Sequence, residues 1–177
     1  LHPCQILADL YTIIEKKKTY EGVKVAYIGD GNNVANSWIE AACLLPLELT
    51  LACPENYDPH PQVLQRCSAT GKGNVKIYRD PFEAARDADV LYTDVWTSMG
   101  QEEESRERQR IFKNYQINEA LLQVAKKDAI VMHCLPAHRG EEVTDEVIDG
   151  PHSAVWDEAE NRIHAQKSVL RWVFGQL

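Results

Sequence analysis

Asp94-Val95-Trp96-Thr97-Ser98-Met99-Gly100 follows a short apolar and β-branched run. An aspartate at the carboxyl end of a strand can hold a ligand ammonium. Ser98 adds a hydroxyl, and backbone amides near Met99 and Gly100 can take a carboxylate. Together they suit an α-amino acid, which carries both charges on one carbon; the alternative is that Asp94 and Ser98 only cap the Glu-rich helix behind them. His133-Cys134-Leu135-Pro136 ends another such run. Proline after Leu135 predicts an extended conformation there, so nearby carbonyls need partners outside regular pairing. Cys134 is a nucleophile, a thiolate able to accept a proton, or a buried inert thiol, the last being the commonest fate of a lone cysteine. His133, Cys134, His138 and His164 are a conceivable zinc set, but the H-C-x3-H spacing matches no usual structural zinc pattern, so no metal is expected.

Gly29-Asp30-Gly31-Asn32-Asn33 is the third chemically dense segment. Its glycines permit a tight turn, and the helix that follows offers free N–H groups to an anion. As a dinucleotide fingerprint it is incomplete, because the third small residue is absent and two asparagines fill the place where a pyrophosphate needs bare backbone. It is either a capped strand-to-helix turn or a site at which Asn33 donates its amide to a ligand carboxylate. His2-Pro3-Cys4-Gln5 opens the chain just ahead of a helix. Glu160-Asn161-Arg162 begins the last one, where Arg162 either reaches a developing oxyanion or pairs with an acid on its own helix.

The elements that must position these residues follow from periodicity. Residues 6–17 read as an amphipathic helix, with Ile6, Leu7, Leu10, Ile13 and Ile14 at helical spacing. Strand-like runs follow at 23–28, 47–53, 75–78, 90–93 and 129–133, with helical text between most of them. Val34, Trp38, Ala41 and Leu45 keep one face. Asp80-Pro81-Phe82-Glu83 is a helix start, with a capping acid, proline at the first position and an acid at the third. Glu102 and Glu104 precede Arg106 and Arg108 by four residues, the favourable order for ion pairs on a helix surface. The last helix carries Ala159, Ile163, Leu170, Val173 and Phe174 on one side. Strands alternating with helices predict an α/β, Rossmann-like, doubly wound fold: a mostly parallel sheet of about five strands with helices on both faces. Ligands of such sheets bind outside the carboxyl ends of the strands, where the three dense segments fall.

Composition narrows the partners. The 177 residues include 27 acidic and 19 basic side chains, for a formal charge of −8. That balance disfavours nucleic acid or an anionic membrane as main partner. No apolar stretch is long enough for a membrane span, and no signal peptide opens the chain. Five cysteines without CxxC spacing fit free thiols in a reducing compartment. The chain begins at Leu1 and its only methionines are Met99 and Met132, which predicts an excerpt of a longer protein.

In this order, His2-Pro3-Cys4-Gln5, Asp30-Gly31-Asn32-Asn33, Asp94 to Gly100, His133-Cys134-Leu135-Pro136 and Glu160-Asn161-Arg162 resemble the C-terminal part of the ornithine carbamoyltransferase family, over essentially the whole chain. The resemblance implies that residues 1–177 form one ornithine-binding domain, that 1–20 are an interdomain helix, and that a carbamoyl-phosphate-binding N-terminal domain is absent here, since its Ser-Thr-Arg-Thr motif does not occur. It implies that His2 and Gln5 touch the carbamoyl group, and that Asn33, Asp94, Ser98 and Met99 bind the amino and carboxylate groups of L-ornithine. Cys134 with the Leu135 carbonyl would lie beside the reacting amine, and Arg162 would contact the carbamoyl oxygen. His2, Asp94, Cys134 and Arg162 are thus the candidate catalytic residues. No cofactor is implied. A homotrimer or multiple of trimers is, as is the cytoplasm, or an organelle matrix if a transit peptide was removed. The alternatives are a putrescine or other amine carbamoyltransferase, which has no need of the Ser98-Met99 arrangement, a nicotinamide-dependent dehydrogenase domain, and a non-catalytic binding fragment.

Overall fold

The computed structural model describes residues 1–70, 72–97 and 105–176. The chain runs α1 (Pro3–Lys17), β1 (Lys24–Ile28), α2 (Asn33–Leu44), β2 (Glu48–Ala52), α3 (Pro61–Thr70), β3 (Asn74–Tyr78), α4 (Pro81–Ala85) and β4 (Val90–Thr93). It continues through α5 (Ser105–Phe112), a 3₁₀ turn at Lys113–Tyr115, α6 (Glu119–Leu122), β5 (Ile130–His133), α7 (Asp145–Ile148) and α8 (Val155–Val173). The five strands lie parallel in the order β3-β2-β1-β4-β5. All of β4 is buried, and so are β1, β2 and β5 beyond a half-buried first residue, while β3 at the edge stays partly exposed. Parallel strands buried on both faces read as continuous apolar runs, which is why all five were visible in the sequence to within about a residue.

Two apolar cores cover the sheet. On one face, Ile6 and Ile13 of α1, Trp38 of α2 and Val63 of α3 pack on Tyr27, Leu49 and Tyr92. On the other, Ala84, Phe112, Leu121 and Ile148 pack on Ile28, Leu91 and Val131. Tyr27 and Tyr92 stack with ring centres 5.9 Å apart, and Trp38 meets Tyr92 edge-on at 5.4 Å. Asp80 caps α4 through the Phe82 N–H at 2.9 Å, behind Pro81, as the sequence predicts.

The strand order reverses at β1, which lies between β2 and β4. The crevice outside the carboxyl ends of β1 and β4 is therefore the topological switch point. The Gly29–Asn33 turn forms one wall and Asp94 the other, with the end of β5 beside it.

Three expectations need correction. The first helix begins at Pro3, not at residue 6, because proline at the first helical position gives up an N–H that would be unpaired there anyway. His2 therefore sits at the helix entrance and donates its backbone N–H to Ser37 Oγ at 2.6 Å. The apolar side of α8 faces outward: Ile163, Leu170, Val173 and Phe174 are all exposed. What α8 buries against α1 is polar, with Asn161 Nδ2 donating to Thr12 Oγ1 at 3.0 Å and to Glu15 Oε2 at 2.6 Å. Finally, Arg108 does not lie on the surface of its helix. It is buried and bonds to Asp30 and the Trp96 carbonyl, its guanidinium 4.8 Å from the Tyr57 ring centre. Glu102 and Glu104 lie outside the described residues.

Candidate functional site

Asp94 leaves the end of β4 half-buried, with donors on both oxygens. Oδ1 accepts the Val95 N–H at 2.8 Å and the Cys134 thiol at 3.0 Å, and Oδ2 accepts the Asn32 side-chain amide at 2.7 Å. Asn32 is bound from several sides. Its Oδ1 caps α2 by accepting the Val34 and Ala35 N–H groups at 2.8 and 3.2 Å, and it also accepts the Tyr27 hydroxyl at 3.2 Å. One side chain thus starts the helix and aims the carboxylate. Sequence reasoning placed the ligand-binding amide at Asn33, which is exposed on the first turn of α2. Asn32 is the residue it missed, although its capping position was open to inference from the strand–turn–helix pattern.

The glycine spacing of this turn has a packing cause. A Cβ on Gly31 would lie 2.3 Å from Pro59 N and 2.6 Å from the Tyr57 carbonyl oxygen. The Gly31 N–H itself donates to that carbonyl at 2.8 Å. The turn is held shut against the 57–59 backbone, and the Asn32 amide is spent on Asp94 and the α2 cap. Neither feature suits a dinucleotide pyrophosphate. Burial pushes the Asp30 carboxyl up from its ordinary value, and its partner Arg108 opposes that rise.

Cys134 lies beside Asp94. Burial and the Asp94 carboxylate together push its thiol well above the ordinary range, so at neutral pH it is an S–H donor. The thiolate reading gives way to this one. His133 is buried and fully engaged. Its Nδ1 accepts the Leu135 N–H at 2.8 Å, which puts the ring proton on Nε2, and Nε2 donates to Glu142 Oε1 at 3.1 Å. That clamp holds Leu135 at φ 54°, in the left-handed region instead of the extended one predicted. Such a backbone costs about 1–2 kcal/mol, and here it turns the chain sharply at the end of β5.

Two groups of side chains bring potential metal-ligating atoms within 4.8 Å of one another among the described residues: Asp94–His133–Cys134 and His138–Glu141–Glu142. In the first, both His133 nitrogens are committed and the Cys134 thiol holds its proton. In the second, Glu142 Oε1 accepts from His133 and from the His138 N–H, while its buried Oε2 has no partner among the described residues. His164 belongs to neither group and lies 4.0 Å from Glu160.

His2 and Arg162 complete the picture from α1 and α8. His2 is half-buried; burial and the Arg162 charge hold its imidazole below the ordinary value against an upward pull from Asp94. It is therefore neutral at pH 7, able to donate one hydrogen bond. Arg162 is half-buried and donates to Gln5 Oε1. Gln5 itself is 1% exposed. The structure thus gathers His2, Arg162, Asp94, Cys134 and Leu135 at one end of the sheet, sets Gln5 behind Arg162, and leaves Asn33 on the rim. Ser98 and Met99 lie outside the described residues.

A doubly wound sheet thus carries a carboxylate, a neutral thiol, an imidazole and a guanidinium around its switch point, the place where open sheets of this kind bind small molecules. Residues 21–173 match the family model described as aspartate/ornithine carbamoyltransferase, Asp/Orn binding domain, and the chain belongs to that family. It is 64% identical over 170 residues to the ornithine carbamoyltransferase of Syntrophus aciditrophicus, a match covering 96% of this chain and 56% of that protein. Among solved structures it superposes on ornithine carbamoyltransferase from Pyrococcus furiosus with a TM-score of 0.93 at 55% identity, covering 99% of this chain and 57% of the other. The enzyme from Giardia lamblia gives 0.88 at 35% identity, with 96% and 58% covered. The chain therefore spans little more than half the length of the relatives it matches.

Proposed function

We propose that this chain is the ornithine-binding half of an ornithine carbamoyltransferase, which makes citrulline and phosphate from L-ornithine and carbamoyl phosphate. The observation that carries this reading is the Asp94 carboxylate at the switch point, aimed by Asn32 and flanked by a protonated Cys134. Asp94 receives the α-ammonium of ornithine, and the 98–100 segment takes its carboxylate. The side-chain amine, once deprotonated, attacks the carbamoyl carbon. A C–N bond forms, the C–O bond to phosphate breaks, and phosphate leaves. His2 and Arg162 stabilise charge on the carbamoyl oxygen as the tetrahedral species forms. Cys134 contributes a hydrogen-bond donor to Asp94, and the Leu135 turn presents its carbonyl to the reacting amine. Much of the acceleration comes from holding the two substrates together.

Carbamoyl phosphate needs a second half to hold its phosphate, and we assign that half to the outward side of α1 and α8. Leu7, Tyr11 and Trp172 are exposed there and line a groove of about 680 Å³ that lies apart from the site. In this reading 1–20 are an interdomain helix and 1–177 one ornithine-binding domain. A trimer is the assembly carried by the family resemblance, and light scattering on the complete enzyme tests it. The cytoplasm is the expected compartment; among the described residues no helix is long and apolar enough to cross a membrane.

Asp94→Asn in the complete enzyme tests the site. Losing the charge opposite the ligand ammonium should weaken ornithine binding by about 1.5–3 kcal/mol and leave carbamoyl phosphate binding nearly unchanged. Equal losses for both substrates in a titration would remove Asp94 from the ornithine site.

A further inference from the structure

Behind Arg162 the structure buries two acids that the reaction scheme does not use. Asp9 of α1 and Glu158 of α8 are 0% and 1% exposed. Between them lies the Gln5 amide, whose Nε2 donates to Asp9 Oδ1 at 2.7 Å and to Glu158 Oε1 at 2.9 Å. Glu158 Oε1 also accepts the Tyr92 hydroxyl at 3.3 Å, while its Oε2 accepts the His133 backbone N–H at 2.9 Å. No donor reaches Asp9 Oδ2.

We propose that Glu158 is a positioning residue for both sides of the site: it orients the Gln5 amide so that Oε1 faces Arg162, and it pins the His133 amide that leads into Cys134, with Asp9 completing the pair. The geometry leaves little choice. An amide nitrogen has two protons, and both are spent on the acids. Its oxygen must then point the other way, where it receives Arg162. A reversed amide would set an oxygen against two carboxyl groups and a nitrogen against a guanidinium.

Two buried acids in contact do not both ionise. Burial pushes both carboxyls up; Glu158 accepts three donors and Asp9 only one, with none on Oδ2, so the single proton is assigned to Asp9. One charge remains, on Glu158. It accepts from Gln5, Tyr92 and the His133 N–H, and Arg162 lies one amide away. The consequence reaches the ligand. With both N–H groups turned inward, Gln5 offers only its oxygen outward, and that oxygen fixes where the Arg162 guanidinium stands. On the reading proposed above, on which this rests, Arg162 then meets the carbamoyl oxygen.

Paired substitutions in the complete enzyme test the assignment. Asn at position 9 keeps an acceptor for Gln5 and offers an N–H where the carboxyl proton stood. Asp9→Asn should therefore hold kcat within about threefold of the parent, as a conservative rescue of a neutral acid. Gln at position 158 presents a donor either to Gln5 Nε2 or to the His133 N–H, so Glu158→Gln should fold yet lose about 100-fold in kcat, the scale of an ångström's misplacement at the reacting groups. Equal impairment of the two variants, or a folded Glu158→Gln with parental kcat, would overturn the proposal. Neutron diffraction of the unmodified protein decides the matter if Glu158→Gln fails to fold, or if the parent makes no citrulline and the functional reading falls. A deuteron on Asp9 and the Gln5 ND₂ group directed at the two acids is the expected result. A bare Asp9 or a reversed Gln5 amide would refute it.

Discussion

Asp94 acts on Cys134 as much as on any ligand, and that relation is measurable without turnover. The thiolate is the species that reacts with iodoacetamide. With the thiol held up by burial and by the adjacent carboxylate, Cys134 should be alkylated far more slowly at pH 7.5 than a small free thiol. Asp94→Asn removes the negative charge and should speed alkylation of Cys134 by about tenfold or more. Mass spectrometry on the modified peptide reads both rates. A Cys134 that reacts like a free thiol in the parent protein would restore the thiolate. At this scale the sequence was informative about residue type and less so about direction. Asp94 and Cys134 stood out because each ends a buried strand beside special backbone. Asn32 did not, since its effect comes from reaching 62 residues along the chain to Asp94. Gln5, Asp9 and Glu158 are polar residues on amphipathic helices, and only the pairing of α1 with α8, across 153 residues in the Gln5–Glu158 bond, turns them inward.

The strands and the cap at Asp80 were legible because local chemistry decides them: apolar β-branched runs, and an acid with proline behind it. The facing of α8 was not, because periodicity groups residues on one side of a helix without naming what that side meets. Two predictions belong to elements. Gly31→Ala should destabilise the β1–α2 turn by about 1–3 kcal/mol, since the added Cβ meets the 57–59 backbone, which has no flexible end to move aside. A denaturation midpoint equal to the parent's would show that the turn has slack. The α1–α8 pair carries a pH signature. Asp9, faced by Gln5, Glu158 and Tyr92, keeps in the fold a proton that the unfolded chain releases above about pH 4. The unfolded state therefore gains relative to the fold as pH rises from there. Asp9→Asn has no such proton to lose, so its melting temperature relative to the parent should climb between pH 4 and pH 8. A difference that stays flat over that range would mean that Asp9 ionises normally in the fold.

For the whole molecule, the proposed function makes this a half-walled site. The sheet, both cores and the residues assigned to ornithine lie within these 177 residues, whereas the phosphate end of carbamoyl phosphate finds no Ser-Thr-Arg-Thr segment here. His2 is better placed than a chain end usually is, because its N–H is tied to Ser37 and its ring lies near Arg162 and Asp94. One docked imidazole does not hold a second substrate, and catalysis by juxtaposition fails when either reactant is free. Trp172, 70% exposed on the α1–α8 groove, marks the surface the other half should cover. We therefore expect the 177-residue chain to fold, to bind ornithine weakly in calorimetry, and to make no citrulline by itself. Supplying the N-terminal half in trans should restore activity, and Trp172→Glu should block that restoration while leaving the far-UV circular dichroism of the chain unchanged. Citrulline formation by the chain alone near the level of the reconstituted enzyme would show that the phosphate-binding half is dispensable. Restoration that tolerates Trp172→Glu would move the docking surface elsewhere.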